Sequence, residues 1–175
     1  MKKITLFLFI LFIFSMYCFA HGNEPIGLAV DFFVNYGRVF NDETQIVNIG
    51  LVGGGPGSDT ASIHYLFMTT FSPDAFIWDL YSGVGIAFYP FKRIFSISGG
   101  MAIGVSIYAL LNHFPYLLYA KGNLDLPIYK NQHISFGAGV QHRNAIRIIG
   151  YIPSSTYYGA YNSWFFEVSY RYFYR

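Results

Sequence analysis

Between Phe95 and Ile107 the chain alternates with a period of two, and this constrains its fold more than any other feature. Odd positions read Phe95, Ile97, Gly99, Met101, Ile103, Val105 and Ile107; even positions read Ser96, Ser98, Gly100, Ala102, Gly104 and Ser106. Successive side chains of a strand point to opposite faces. One face of this strand is therefore greasy and the other small or polar. The same split predicts strands over Gly27–Tyr36, Trp78–Tyr89, Tyr116–Ile128, Ile134–His142 and Ser163–Tyr174. Gln45–Val52 and Ala61–Thr70 alternate less cleanly, since the second carries His64, Leu66 and Met68 opposite Ile63, Tyr65 and Phe67. With these two the expected number is eight, and single-chain bacterial barrels have even numbers of strands.

The charges identify the faces. Asp31, Asp79, Lys121, Asp125, Glu167 and Arg171 all fall on the small or polar parity. Only 11% of residues are charged, against roughly a quarter in ordinary soluble domains. A soluble sandwich, which would turn its polar face to water, fits this poorly. A helical membrane bundle fits no better. Ile94–Leu111 is 18 uncharged residues, long enough for a spanning helix, but its serines and all its glycines except Gly99 keep to one parity. Each of its three glycines would cost a helix about 1 kcal/mol. The charged residues of the other segments would each cost about 2.5–3.5 kcal/mol in a lipid-facing helix. The expected fold is all-β: a single closed antiparallel transmembrane β-barrel of about eight strands, lipid outside and a crowded lumen inside. Gly99, Gly100 and Gly104 are expected to make room for bulky lumen neighbours. Tyr36, Trp78, Tyr116 and Trp164 at one rim, and Phe88, Phe95, Tyr172 and Tyr174 at the other, suit interfacial aromatic girdles.

Residues 1–20 read as a cleaved signal peptide: Lys2 and Lys3, the apolar run Ile4–Phe14, and small residues Cys18 and Ala20 at the −3 and −1 positions. The rival reading, a lipidated Cys18, is opposed by Tyr17 where a small residue is wanted. Residues 21–175 then form the barrel. Without Lys2 and Lys3, the 11 basic residues fall to nine, against nine acidic ones. No basic stripe remains, so nucleic acid is not an expected partner. No cysteine remains either, which removes disulfides and thiolate zinc sites. His21, His64, His113 and His133 lack metal-ligand spacing, and Gly53–Gly57 lacks the Lys-Ser/Thr of a phosphate loop. No cofactor or metal is expected.

The segment Trp164-Phe165-Phe166-Glu167-Val168-Ser169-Tyr170-Arg171-Tyr172-Phe173-Tyr174-Arg175 resembles the C-terminal assembly signal of bacterial outer-membrane proteins. Tyr170, Tyr172 and Tyr174 fill its aromatic pattern, although Arg175 follows where Phe is usual. In size and strand pattern the chain is similar to small outer-membrane barrels of the OmpA, OmpX and OmpW type. That resemblance implies insertion by the barrel-assembly machinery and residence in the outer membrane among its lipids; the barrel is expected to be a monomer.

Four constellations could carry function. The six inward charges form either an ion-pair plug or a narrow polar path, with Glu167 and Arg171 near Asp31 if the last strand pairs with the first. Phe33, Leu66, Met68 and Tyr81 either fill the lumen or line an apolar pocket, as the OmpW likeness implies. His142-Arg143-Asn144-Ala145 is similar to the His-x-Ser-Asn-Ala motif of lipid A deacylases, which are also eight-stranded barrels. No serine stands between His142 and Asn144, however, and a nucleophile must lie within reach of its base. No enzyme is expected. Last, the external linkers, above all Arg143–Ala160, could bind a partner. Two functions stay open: passage of small or hydrophobic solutes, or a non-conducting structural or surface-binding barrel plugged by ion pairs.

Overall fold

The computed structural model describes residues 28–57, 60–75, 77–91, 94–107, 113–129, 132–147 and 160–173. The expected signal peptide, residues 1–20, and Tyr174 lie outside these. Eight strands follow in chain order: β1 (Leu28–Val39), β2 (Gln45–Gly57), β3 (Ala61–Ser72), β4 (Ile77–Phe91), β5 (Phe95–Ser106), β6 (His113–Tyr129), β7 (Gln132–Arg147) and β8 (Tyr161–Phe173). Each pairs antiparallel with the next, and β8 pairs with β1, so the sheet closes. Closure leaves no strand edge unpaired. The expected class, count and closure are all present, and the two weakly alternating segments are strands. Among the described residues no helix is long and apolar enough to cross a membrane.

The alternation becomes burial. On β4, Val84, Ile86 and Phe88 are 46%, 59% and 56% exposed, whereas Tyr81, Ala87 and Tyr89 are buried. Phe32, Ile49, Phe67, Met101, Leu124, Phe136 and Val168, one from each of the other strands, are also exposed. The wall is thus greasy all the way round. Tyr36, Trp78, Phe88, Tyr116, Trp164 and Tyr170 share that outward face.

Several expected boundaries need correction. Residues 53–57, beyond the expected strand Gln45–Val52, continue β2; four of the five are glycines, which carry no side chain to display parity. His113 to Pro115 belong to β6, and β7 runs on to Arg147. Arg143 is therefore a strand residue, not the start of a loop. β1 likewise continues to Val39, β3 to Ser72 and β4 to Phe91.

The near rim, where Leu28 and Phe173 lie, carries every register shift in the ladders: at Leu28/Val30, Gly54/Gly57, Phe88/Phe91 and Pro127/Tyr129. Irregular pairing collects at barrel rims. At the far rim the β1–β2 turn places Asn41 at φ 60°, a left-handed conformation that Asn tolerates better than most residues. Asp42 Oδ1 accepts from the Thr44 amide and hydroxyl, both at 3.1 Å, and braces this turn.

An eight-stranded barrel is just wide enough to be filled by its own side chains, and this one is. Phe33, Val52, Leu66, Met68, Tyr81, Ala87, Tyr89, Ala102 and Leu117 pack as one apolar cluster. Val39, Ile46, Ala75, Ile77 and Tyr161 form a second. Inward glycines are the sockets. A Cβ on Gly50 would stand 2.6 Å from the Phe33 ring, and one on Gly100 would stand 2.8 Å from the Tyr119 hydroxyl. Gly104 makes room in the same way for Tyr81. Gly99 does not share this role, because its parity is outward.

Candidate functional site: the filled lumen

All six predicted lumen charges are buried, none more than 8% exposed. The barrel sorts them into three layers. In the near layer Arg171 of β8 sits between two aspartates. Its Nη2 donates to Asp31 Oδ2 at 2.9 Å and its Nη1 to Asp125 Oδ1 at 2.7 Å. The Asp31 contact follows from closure, since Asp31 and Arg171 are register partners across the β1–β8 seam. Ser96 Oγ accepts from Arg171 Nη1 at 3.1 Å and so ties in β5. One guanidinium thereby joins β1, β5, β6 and β8. Its planar fork of donors suits such branching better than an ammonium would.

The middle layer pairs Lys121 of β6 with Glu167 of β8. These strands are not neighbours; β7 lies between them. The inward residues of β7 at this level are Gly137 and Gly139, partners of Glu167 and Lys121 respectively. A Cβ on Gly139 would meet the Lys121 Cβ at 2.7 Å. The missing side chains on β7 let the ion pair form above it. Lys121 Nζ also stands 5.1 Å from the centre of the Phe33 ring, within the range of a cation–π contact.

Two neutral groups complete this level. Asn48 Nδ2 donates to Asn35 Oδ1 at 2.5 Å and to Gln141 Oε1 at 3.2 Å, while Asn48 Oδ1 accepts from Thr70 Oγ1 at 2.5 Å. His64 Nε2 and the Tyr119 hydroxyl are hydrogen-bonded at 2.5 Å. His64, which shows no metal spacing in the sequence, is a member of the packed lumen. Among the described residues no group of His, Cys, Asp or Glu could hold a metal ion.

The far layer centres on Asp79. Its Oδ2 accepts from Arg143 Nε at 2.8 Å and from the Tyr81 hydroxyl at 2.9 Å. Arg143 Cζ lies 5.7 Å from the centre of the Tyr161 ring. Asp79 thus has a partner that sequence reasoning missed, and does not join the other predicted charges. The signal for Arg143 was its parity: it continues the inward series Ser135, Gly137, Gly139, Gln141. It is among the largest fully buried side chains of the barrel.

The expected apolar pocket needs the same kind of correction. Phe33, Leu66 and Met68 do border a cavity, together with Lys121 and Glu167, but it measures about 20 Å³. That holds about one water molecule. Tyr81 packs in the same apolar cluster but does not border the cavity, because its hydroxyl turns to Asp79. Of the assembly pattern, Tyr170 and Tyr172 are outward residues of β8. His142 is outward too, and its Nδ1 lies 2.8 Å from Asn162 Oδ1. Residues 148–159 of the long linker lie outside the described residues.

No family model and no curated protein matches the chain. Among solved structures, the outer membrane protein OprG from Pseudomonas aeruginosa aligns with 86% of this chain and 97% of its own at 11% identity, with a TM-score of 0.36. At that score the likeness adds nothing to the barrel already established by strand pairing.

Proposed function

We propose that this chain is a non-conducting outer-membrane barrel, a rigid scaffold for its external linkers and neither a channel nor an enzyme. The observation that carries this reading is the Arg143–Asp79 bond. It runs from β7 to β4, strands that are not adjacent in the sheet, and so crosses the lumen. Arg171 bars the near end and the Lys121–Glu167 pair the middle. A solute entering from either rim would have to break buried ion pairs. Breaking one by removing a partner costs about 3–5 kcal/mol, a large fraction of a protein's stability. Passage of small or hydrophobic solutes has less support, because the apolar cavity at the centre holds about one water.

Residence in a membrane is supported by the greasy wall. A soluble protein rarely exposes a contiguous apolar patch beyond a few hundred Å², and here large apolar side chains ring the whole barrel. The signal-like residues 1–20 and the Tyr170–Tyr172–Tyr174 pattern favour the outer membrane and insertion by the assembly machinery. A monomer is the simplest state, since the closed sheet needs no partner strand.

The test is conductance of the refolded protein in planar lipid bilayers. A packed lumen predicts insertion without steady current over the accessible voltage range. Reproducible unitary channels would overturn the proposal and restore the solute-passing reading.

A further inference from the structure

The outward wall is not uniform. On β6 and β7, near the far rim, it sinks into a groove of about 450 Å³ whose lining includes Phe40, Leu118, Ala120, Val140, His142 and Asn162. Ligand clefts commonly measure about 300–1,000 Å³. The groove lies where outward side chains are small: Ala120 is flanked by Gly99 on β5 and by Gly122 on its own strand, and Gly122 faces Ala138 on β7. Of the lumen residues, Tyr119 and Gln141, which alternate with the outward residues on these two strands, also border it.

Its upper lip is polar. His142 and Asn162 are register partners across β7 and β8, and their side chains meet at 2.8 Å. The amide oxygen can only accept, so the His142 Nδ1 carries the proton. This contact orients the amide and leaves the Asn162 Nδ2 donors for another acceptor. Asn162 is exposed, with outward parity. A hydrogen-bonded polar pair directly above an apolar trough on a lipid-facing wall is an amphiphile's own pattern.

We infer that this groove binds a single glycerophospholipid. One acyl chain lies along Leu118, Ala120 and Val140, and its ester carbonyl accepts from Asn162 Nδ2. The lining argues for this occupant over a multiply phosphorylated glycolipid. None of its residues is a Lys or Arg, and nearby Arg38 is engaged by Glu43 at 3.2 Å and by the Asp42 carbonyl. A neutral lip suits an ester; it would not hold several phosphates. The inference rests on the reading that the apolar wall faces lipid.

The chain's two tryptophans make the test clean. Trp164 flanks the groove as the register partner of Val140; Trp78, outward on β4, serves as reference. The full-length protein is refolded in detergent micelles as Trp78→Phe and Trp164→Phe variants, then titrated with phosphatidylcholine brominated along its acyl chains. Quenching of Trp164 is expected to saturate, while quenching of Trp78 rises only in proportion to the lipid in the micelle. Ala120→Phe, which fills the groove, should abolish the saturable part. Asn162→Ala should raise half-saturation about two- to tenfold, the loss of one hydrogen bond; being at an exposed position, it carries the test even if Ala120→Phe fails to fold. If both tryptophans respond alike, or if neither substitution alters saturation, the groove inference is overturned and the membrane reading stands. If lipid quenches neither, the membrane reading falls as well.

Discussion

The two buried arginines of the lumen do the same chemistry in different ways. Arg171 serves two carboxylates, Asp31 and Asp125, and reaches Ser96 besides. Arg143 reaches across the lumen to Asp79, which also receives the Tyr81 hydroxyl, and leans on the Tyr161 ring. The near layer is a branched polar knot with more acid than base. The far layer is a tie between β7 and β4 beside the apolar cluster of Val39, Ile46, Ala75, Ile77 and Tyr161. The difference teaches how each end is held: the near end by one cation shared among four strands, the far end by a cross-lumen tie and an apolar cap.

The largest effect should come from Arg171→Met, which strands two buried carboxylates. We expect a loss of about 3–5 kcal/mol, measured by urea unfolding of the protein refolded in phospholipid vesicles. Adding Asp31→Asn and Asp125→Asn should recover most of it; a triple variant no better than the single one would mean that the knot is not electrostatic. Arg143→Met should cost less, about 1.5–3 kcal/mol, because Asp79 keeps the Tyr81 hydroxyl. Equal losses at the two arginines would erase the distinction between knot and tie. The smallest net effect belongs to the middle layer. Lys121→Met with Glu167→Leu should leave stability unchanged or raise it by up to about 1–4 kcal/mol, while Lys121→Met alone destabilises. A double variant as unstable as the single would show that the pair contributes more than its charges.

The same contrast marks what could be read from the sequence. The near layer was legible because two simple facts meet there: parity turns Asp31, Asp125 and Arg171 inward, and closure brings β8 beside β1. The far layer was half hidden. Asp79 showed its parity, but Arg143 follows His142 and precedes Asn144, so the outward residues of β7 are already polar there. Strand prediction leans on the greasy face, and that face fades where a strand rises out of the apolar belt. Gly53, Gly54, Gly55 and Gly57 were hidden for a related reason, having no side chains to alternate. The His64–Tyr119 bond joins strands that are not sequence neighbours, and no periodicity along a single strand could reveal it. The outward groove depends on how side chains of three strands differ in size, and so needed the register.

The seam at Asp31 and Arg171 also bears on the order of events in folding. These partners are 140 residues apart in the chain, and Asp125 depends on the same cation. Until β8 arrives, β1 through β7 can form an open, curling sheet with two carboxylates that no neighbour neutralises. Such distant pairings are slow to form, since chain entropy is spent before any contact repays it. Neutralisation and closure therefore come in one step. A truncated or stalled chain would keep its acidic residues wet and its edges reactive, and the last strand acts as the latch that makes the barrel both shut and dry.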